Sequence, residues 1–148
     1  MGVVKALKGL SAIPRERRTN EINDIIKKAA EFLLIHHIYK RSHDLSRTSK
    51  PGWLKFSFPL MYQTDALEIL DILTELGIVA DSRMNDTLNI VLSKQDDMGR
   101  WRTENISNTD RLLIPMGQKG EQSKWITLRA IKVLKRTRIA TNLSAVFK

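Results

Sequence analysis

The amino-acid sequence predicts an all-α domain of paired antiparallel helices joined by two long ordered loops, on three observations. Apolar residues recur at helical spacing in five segments. Residues that cap or stop helices stand at the ends of those segments. One link between two of them, Ile78 to Ala80, is so short that its helices must fold back on each other as a hairpin.

The first segment runs from about Val3 to Ala12, with Val3, Leu7 and Leu10 on one stripe, and Pro14 ends it. Thr19 or Asn20 caps the second, with Glu21 and Asp24 in the first turn, where they favour the helix dipole. Its stripe is Ile22, Ile25, Ile26, Ala29, Leu33 and His36, widened by Ala30, Leu34 and Ile38. A helix apolar over so much of its circumference is expected at the centre, with Lys40 and Arg41 at its C-terminal end. Thr64 is the expected cap of the third helix, Asp65 and Glu68 fall in its first turn, and Ala66, Ile69, Leu70, Leu73 and Leu76 carry its period. Gly77 supplies the left-handed stop. Asp81 or Ser82 caps the fourth, along Met84, Leu88, Val91 and Leu92; Ser123 caps the fifth, along Trp125, Leu128, Ile131 and Leu134. The tail from about Thr137 is too weakly patterned to assign.

Ser42–Met61 and Lys94–Gln122 are the two long connections. Pro51, Trp53, Phe56, Phe58 and Pro59 in the first, and Trp101 and Pro115 in the second, make them packed loops rather than slack linkers. Alternation over Leu54 to Phe58 would suit a strand, but one isolated strand has no partner, so a loop is expected there.

The chain has 148 residues, enough for a single domain with a real core. Cysteine is absent, which excludes a disulfide scaffold, a thiolate metal site and a cysteine nucleophile, and fits a reducing, cytoplasmic setting. No apolar run reaches the roughly 20 residues that span a bilayer, and the first ten residues lack the apolar stretch of a signal peptide. Ala6 stands where a myristoylation signal has Ser or Thr.

Net charge is +9, from 25 Lys and Arg against 16 Asp and Glu, with a pI of about 10.0. The excess points either to an anionic partner, nucleic acid included, or to a solvated basic surface. One cation cluster is Arg15, Arg17 and Arg18; another is Lys132, Lys135, Arg136 and Arg138. Neither is interleaved with aromatics as a single-strand platform would be. Arg129, Lys132 and Arg136 share a face at helical spacing and are the candidate anion site, with Lys124 near the start of the same helix.

His36 and His37 are adjacent and point to different sides of a helix, so they do not bind one metal together. No residue at the next turn completes a zinc pair, and neither a metal nor another cofactor is expected. Trp53, Tyr62, Asp65, Trp101 and Trp125 are the candidate ligand-binding residues. Asp65 would face a pocket lined by the aromatics, or else serve only the helix dipole; the tryptophans would line a cavity or else brace the loops.

The most specific string is LSKQDDMGRW, Leu92 to Trp101, in which Gln95, Gly99 and Trp101 follow a helix. It resembles the Gln-Trp repeat of squalene-hopene and other triterpene cyclases. WLKFSFPLMYQTDALEILDILTELGI and SKWITLRAIKVLKR are similar to segments of prenyltransferase- or squalene-cyclase-like proteins, and the resemblance extends from about Ile13 to Arg136. It implies part of an α/α-toroid, in which the glutamine and tryptophan tie the end of one helix to the start of another.

It does not imply the chemistry. The cyclases' Asp-x-Asp-Asp motif is missing, with Asp96-Asp97 and Asp65 the nearest acids. The prenyltransferase zinc site needs a cysteine, and Arg100 replaces the last acid of the Asp-Asp-x-x-Asp diphosphate motif. The expectation is a non-catalytic binding or interaction module, holding a hydrophobic isoprenoid or lipid ligand or a protein partner. The alternatives are the incomplete portion of an isoprenoid-processing enzyme, or a basic nucleic-acid-associated helical protein. A complete toroid needs about five to seven hairpins and the helices here make about two and a half. The chain is then a fragment of a longer protein or a small relative that self-associates through an uncapped face.

Overall fold

The computed structural model describes residues 2–61, 63–106 and 117–138. The chain order is α1 (Gly2–Ser11), α2 (Asn20–Ile35), β1 (Lys40–Arg41), β2 (Asp44–Thr48), α3 (Ala66–Glu75), α4 (Asn85–Ser93) and α5 (Lys124–Arg136). Short 3-10 turns at Arg15–Arg17, Pro51–Leu54 and Ser82–Met84 join them. The all-α, partial-toroid expectation is corrected: among the described residues five α-helices are accompanied by a two-stranded antiparallel sheet, a mixed architecture.

The sheet arises where the second helix was expected to continue. Helix α2 starts as its residues dictate, with the Thr19 hydroxyl accepting from Ile22 N at 3.3 Å. It stops at Ile35 because His37 enters the left-handed region (φ 41) and Ile38 follows (φ 72). His37 N then donates to Leu34 O and Ile38 N to Leu33 O, closing the helix end. A β-branched residue at positive φ is strained; full burial of the Ile38 side chain holds it there. Lys40 and Arg41 therefore open a hairpin, pairing with Thr48 and Asp44.

The centre of the molecule is α3, not α2. Helix α3 packs on α1, α4 and α5, and eight of its ten residues are buried. Two of them, Glu68 and Thr74, are polar, so the apolar pattern of α3 alone understates its burial. Its cap is Asp65, whose carboxylate accepts from Glu68 N at 2.8 Å, where Thr64 was expected. Gly77 ends it at φ 93, with Ile78 N donating to Leu73 O. Across the short link, Asp81 caps the turn that leads into α4, and α4 packs back on α3. Ser123 caps α5 by accepting from Ile126 N.

The long connections are packed, as Phe56, Leu60 and Trp101 are buried. Residues Leu54–Phe58 form no strand; Ser57 makes a single parallel bridge to Asn105, and Arg102 an antiparallel one to Gln122. Pro115 and the tail from residue 139 lie outside the described residues. No helix among the described residues is long and apolar enough to cross a membrane.

Candidate functional site

The buried charged groups gather where α1 meets the start of α3. Glu68 is almost wholly buried, yet three donors reach its carboxylate: Lys5 Nζ at 2.8 Å, Lys8 Nζ at 2.8 Å and Thr64 Oγ1 at 2.7 Å. Burial alone pushes its pKa up, but the bonds from Lys5, Lys8 and Thr64 outweigh that and hold it below the ordinary carboxylate value. The two lysines are one helical turn apart on α1, so the cluster clamps α1 to α3. Nothing in the local sequence around Glu68 signals partners some sixty residues away; only the fold brings them together.

Asp65 sits beside this cluster and has both oxygens committed. One accepts from Glu68 N and the other from Ser57 N at 3.0 Å, so the carboxylate caps α3 and pins the Phe56–Ser57 segment at once. Burial drives its pKa from 3.8 to about 6, against the pull of the Ser57 and Glu68 amides and of Arg129. The expected acid facing an aromatic pocket is therefore a buried structural cap. A carboxyl whose folded pKa is raised binds more protons in the folded state, so its contribution to stability falls as pH rises from about 3.8 to about 6. A side-chain carboxyl NMR titration is expected to give Asp65 a midpoint near 6, where an unperturbed aspartate gives about 3.9.

The three tryptophans do not share a cavity. Trp101 is fully buried; its indole donates to Val91 O of α4 at 2.7 Å, and its own amide donates to Thr127 Oγ1 of α5 at 3.0 Å. Ser123 N, at the start of α5, donates to Trp101 O. Trp101 thus joins the last turn of α4 to the first turn of α5. Gly99 makes the turn before it at φ 75, and Asp96 receives the amides of Met98 and Arg100. The Gln95 amide nitrogen is buried with no hydrogen-bond partner. Of the Gln95, Gly99 and Trp101 trio, the tryptophan and glycine make the junction and the glutamine side chain does not.

Trp125 is half-exposed and stacks on Phe58, with ring centroids 5.2 Å apart. Trp53 lines a small pocket of about 210 Å³ with Phe32, Leu33, His36, Ile38 and Lys50. Tyr62 lies outside the described residues. This pocket, formed by the end of α2, the hairpin and the turn at Trp53, is the feature sequence reading missed. Its signal lay in Phe32, seven residues after Ile25 and so on the same face of α2.

The candidate anion site is divided. Arg136 Nη1 pairs with Asp71 Oδ1 at 2.7 Å and Arg129 Nε approaches Asp71 Oδ2 at 3.8 Å, while Lys132 points away and is exposed. Asp71 occupies the two arginines, and they bind α5 to α3. His36 Nδ1 donates to Phe32 O, and among the described residues no group of His and acidic side chains is arranged to hold a metal ion.

Comparison of the chain with protein-family models, with curated proteins and with solved structures finds no match.

Proposed function

We propose that the chain is a non-catalytic interaction module, related to squalene-cyclase- and prenyltransferase-like proteins, that associates with a second copy of itself through the outer face of α2. The observation that carries this is an apolar stripe in water: Ile25, Phe32 and Ile35 are 53%, 47% and 47% exposed. Large side chains aligned on one helix face are a contact surface rather than scattered surface apolars. The non-catalytic part is supported by Asp65 and Glu68, whose carboxylates are taken up by a helix cap and an ion cluster. The kinship is supported by the Gly99–Trp101 junction. A cytoplasmic setting belongs to the same proposal and rests on the cysteine-free composition.

The exposed apolar residues of α2 allow an antiparallel, two-fold pairing. Setting Ile25 of one copy over Phe32 of the other brings Glu21 over His36, and the contact closes on itself. Light scattering at high micromolar concentration is expected to give a dimer for the wild type. Phe32→Glu, with its thermal midpoint unchanged, is expected to weaken dimerisation at least about tenfold. A monomeric wild type, or an equally dimeric variant, overturns the proposal.

A hydrophobic small molecule is the second reading, favoured by the pocket around Trp53. At about 210 Å³ it is smaller than the roughly 300–1,000 Å³ of whole-ligand sites, so it suits one side chain or a short branched unit. A co-purified mass in native mass spectrometry, lost in Trp53→Ala, would favour this reading over dimerisation.

A further inference from the structure

The outer face of α5 combines charge and apolar surface in a way the α2 contact does not use. Residues Lys124–Arg138 contain six cations and no acid. Asp71 holds Arg129 and Arg136. Lys124, Lys132, Lys135 and Arg138 are exposed and have no ion-pair partner among the described residues. Glu121, the nearest acid in sequence, is turned to Gln118 N.

At helical spacing Lys124, Lys135, Leu128, Lys132 and Trp125 fall within an arc of about 100°. The two apolar members are 42% (Trp125) and 49% (Leu128) exposed. The opposite side of the helix is the buried one, with Ile126, Ala130, Val133 and Leu134 against the core. Trp125 is held in place by Phe58 on one face and by Lys124 Nζ 5.2 Å from the ring centre.

We infer that this face docks on an anionic lipid surface. An indole fixed at a helix start suits the headgroup level of a bilayer. Leu128 sits amid the lysines, where it would enter the acyl boundary while the lysine stems snorkel outward to phosphates. Three of the four exposed cations are lysines, and Lys and Arg alike are drawn to the anionic headgroups of a bilayer surface. A nucleic acid would want an open aromatic face for a base, and the Trp125 ring is covered by Phe58 and approached by Lys124. The contact requires no membrane-spanning helix.

Co-sedimentation of the full chain with vesicles tests this, comparing phosphatidylserine–phosphatidylcholine mixtures with phosphatidylcholine alone. Binding is expected only to the anionic vesicles, and is expected to weaken as salt is raised. Lys132→Gln is expected to lower partitioning about fivefold, and Leu128→Glu to abolish it with an unchanged thermal midpoint. Absence of binding to the anionic vesicles overturns the inference, as does undiminished binding of Leu128→Glu. A single-stranded oligonucleotide bound more tightly than the vesicles, with Leu128→Glu without effect, would assign the lysines to nucleic acid and overturn it as well.

Discussion

Replacing Trp101 with alanine is expected to lower unfolding free energy by about 3–5 kcal/mol, the range for removing a fully buried aromatic side chain. The side chain is wholly inside the core and spans the junction between α4 and α5, so no solvent-facing rearrangement fills its place. The hydrogen bond is the smaller part. Val91 O also accepts from Lys94 N at 3.3 Å, so losing the indole leaves that carbonyl with a partner. Trp101→Phe is therefore expected to cost only about 1 kcal/mol beyond its lost volume. Gln95→Met serves as the control: its amide nitrogen has no partner to lose, and stability is expected to change by less than about 0.5 kcal/mol. Urea unfolding of the three variants checks the order, and a cost at Gln95 equal to that at Trp101 would show the glutamine to be a working half of the brace.

Asp65→Ala is the second large effect, and its size depends on pH. The substitution strips acceptors from two buried amides, Ser57 N and Glu68 N, each worth about 1–3 kcal/mol when left unpaired. At pH 5 the carboxyl is largely protonated in the folded protein but ionised in the unfolded chain, so only about half of the cost of its raised pKa is present, and a loss of about 2–4 kcal/mol is expected there. At pH 8 the wild type bears that cost, on the order of 3 kcal/mol for a carboxyl moved from 3.8 to about 6. The variant is free of it. The difference between wild type and Asp65→Ala is thus expected to shrink as pH rises, as denaturant titrations at the two pH values would measure. A difference that grows with pH would mean that Asp65 is ionised at little cost in the native protein.

Local signals in the chain were read where the physics is local. Thr19, Ser123 and Gly77 end helices through bonds to residues a turn away, and such bonds depend only on neighbouring residue types. Gly77 and His37 play the same role at the ends of α3 and α2, but only glycine advertises a positive φ. Periodicity therefore carried α2 past its true end, into residues that form β1. The hairpin itself lacks apolar alternation; Leu45 is exposed and Lys40, Arg41, Asp44 and Arg47 are charged, so its pairing rests on backbone bonds that leave no hydrophobic pattern.

The candidate site was legible in part for the same reason. Trp101 stood out through the resemblance of Gln95, Gly99 and Trp101 to a known repeat, while its bonds to Val91 and Thr127 come from the fold. The partners of Glu68 and of Arg136 come from elements about sixty residues away, and residue type alone left Arg129, Lys132 and Arg136 as one cationic row. Asp71, one of the acids of α3, divides that row. The exposed stripe of α2 was hidden by its own hydrophobicity, because apolar residues on a helix read as core whether or not a neighbour covers them.

The absence of cysteine makes the central claim directly testable. In the antiparallel pairing that sets Ile25 over Phe32, residues 28 and 29 lie at the two-fold axis. Lys28→Cys, treated with a short bismaleimide at high micromolar concentration, is expected to give covalent dimer, while Lys132→Cys on the outer face of α5 gives little. Equal cross-linking at the two positions, or none at residue 28, would contradict association through α2.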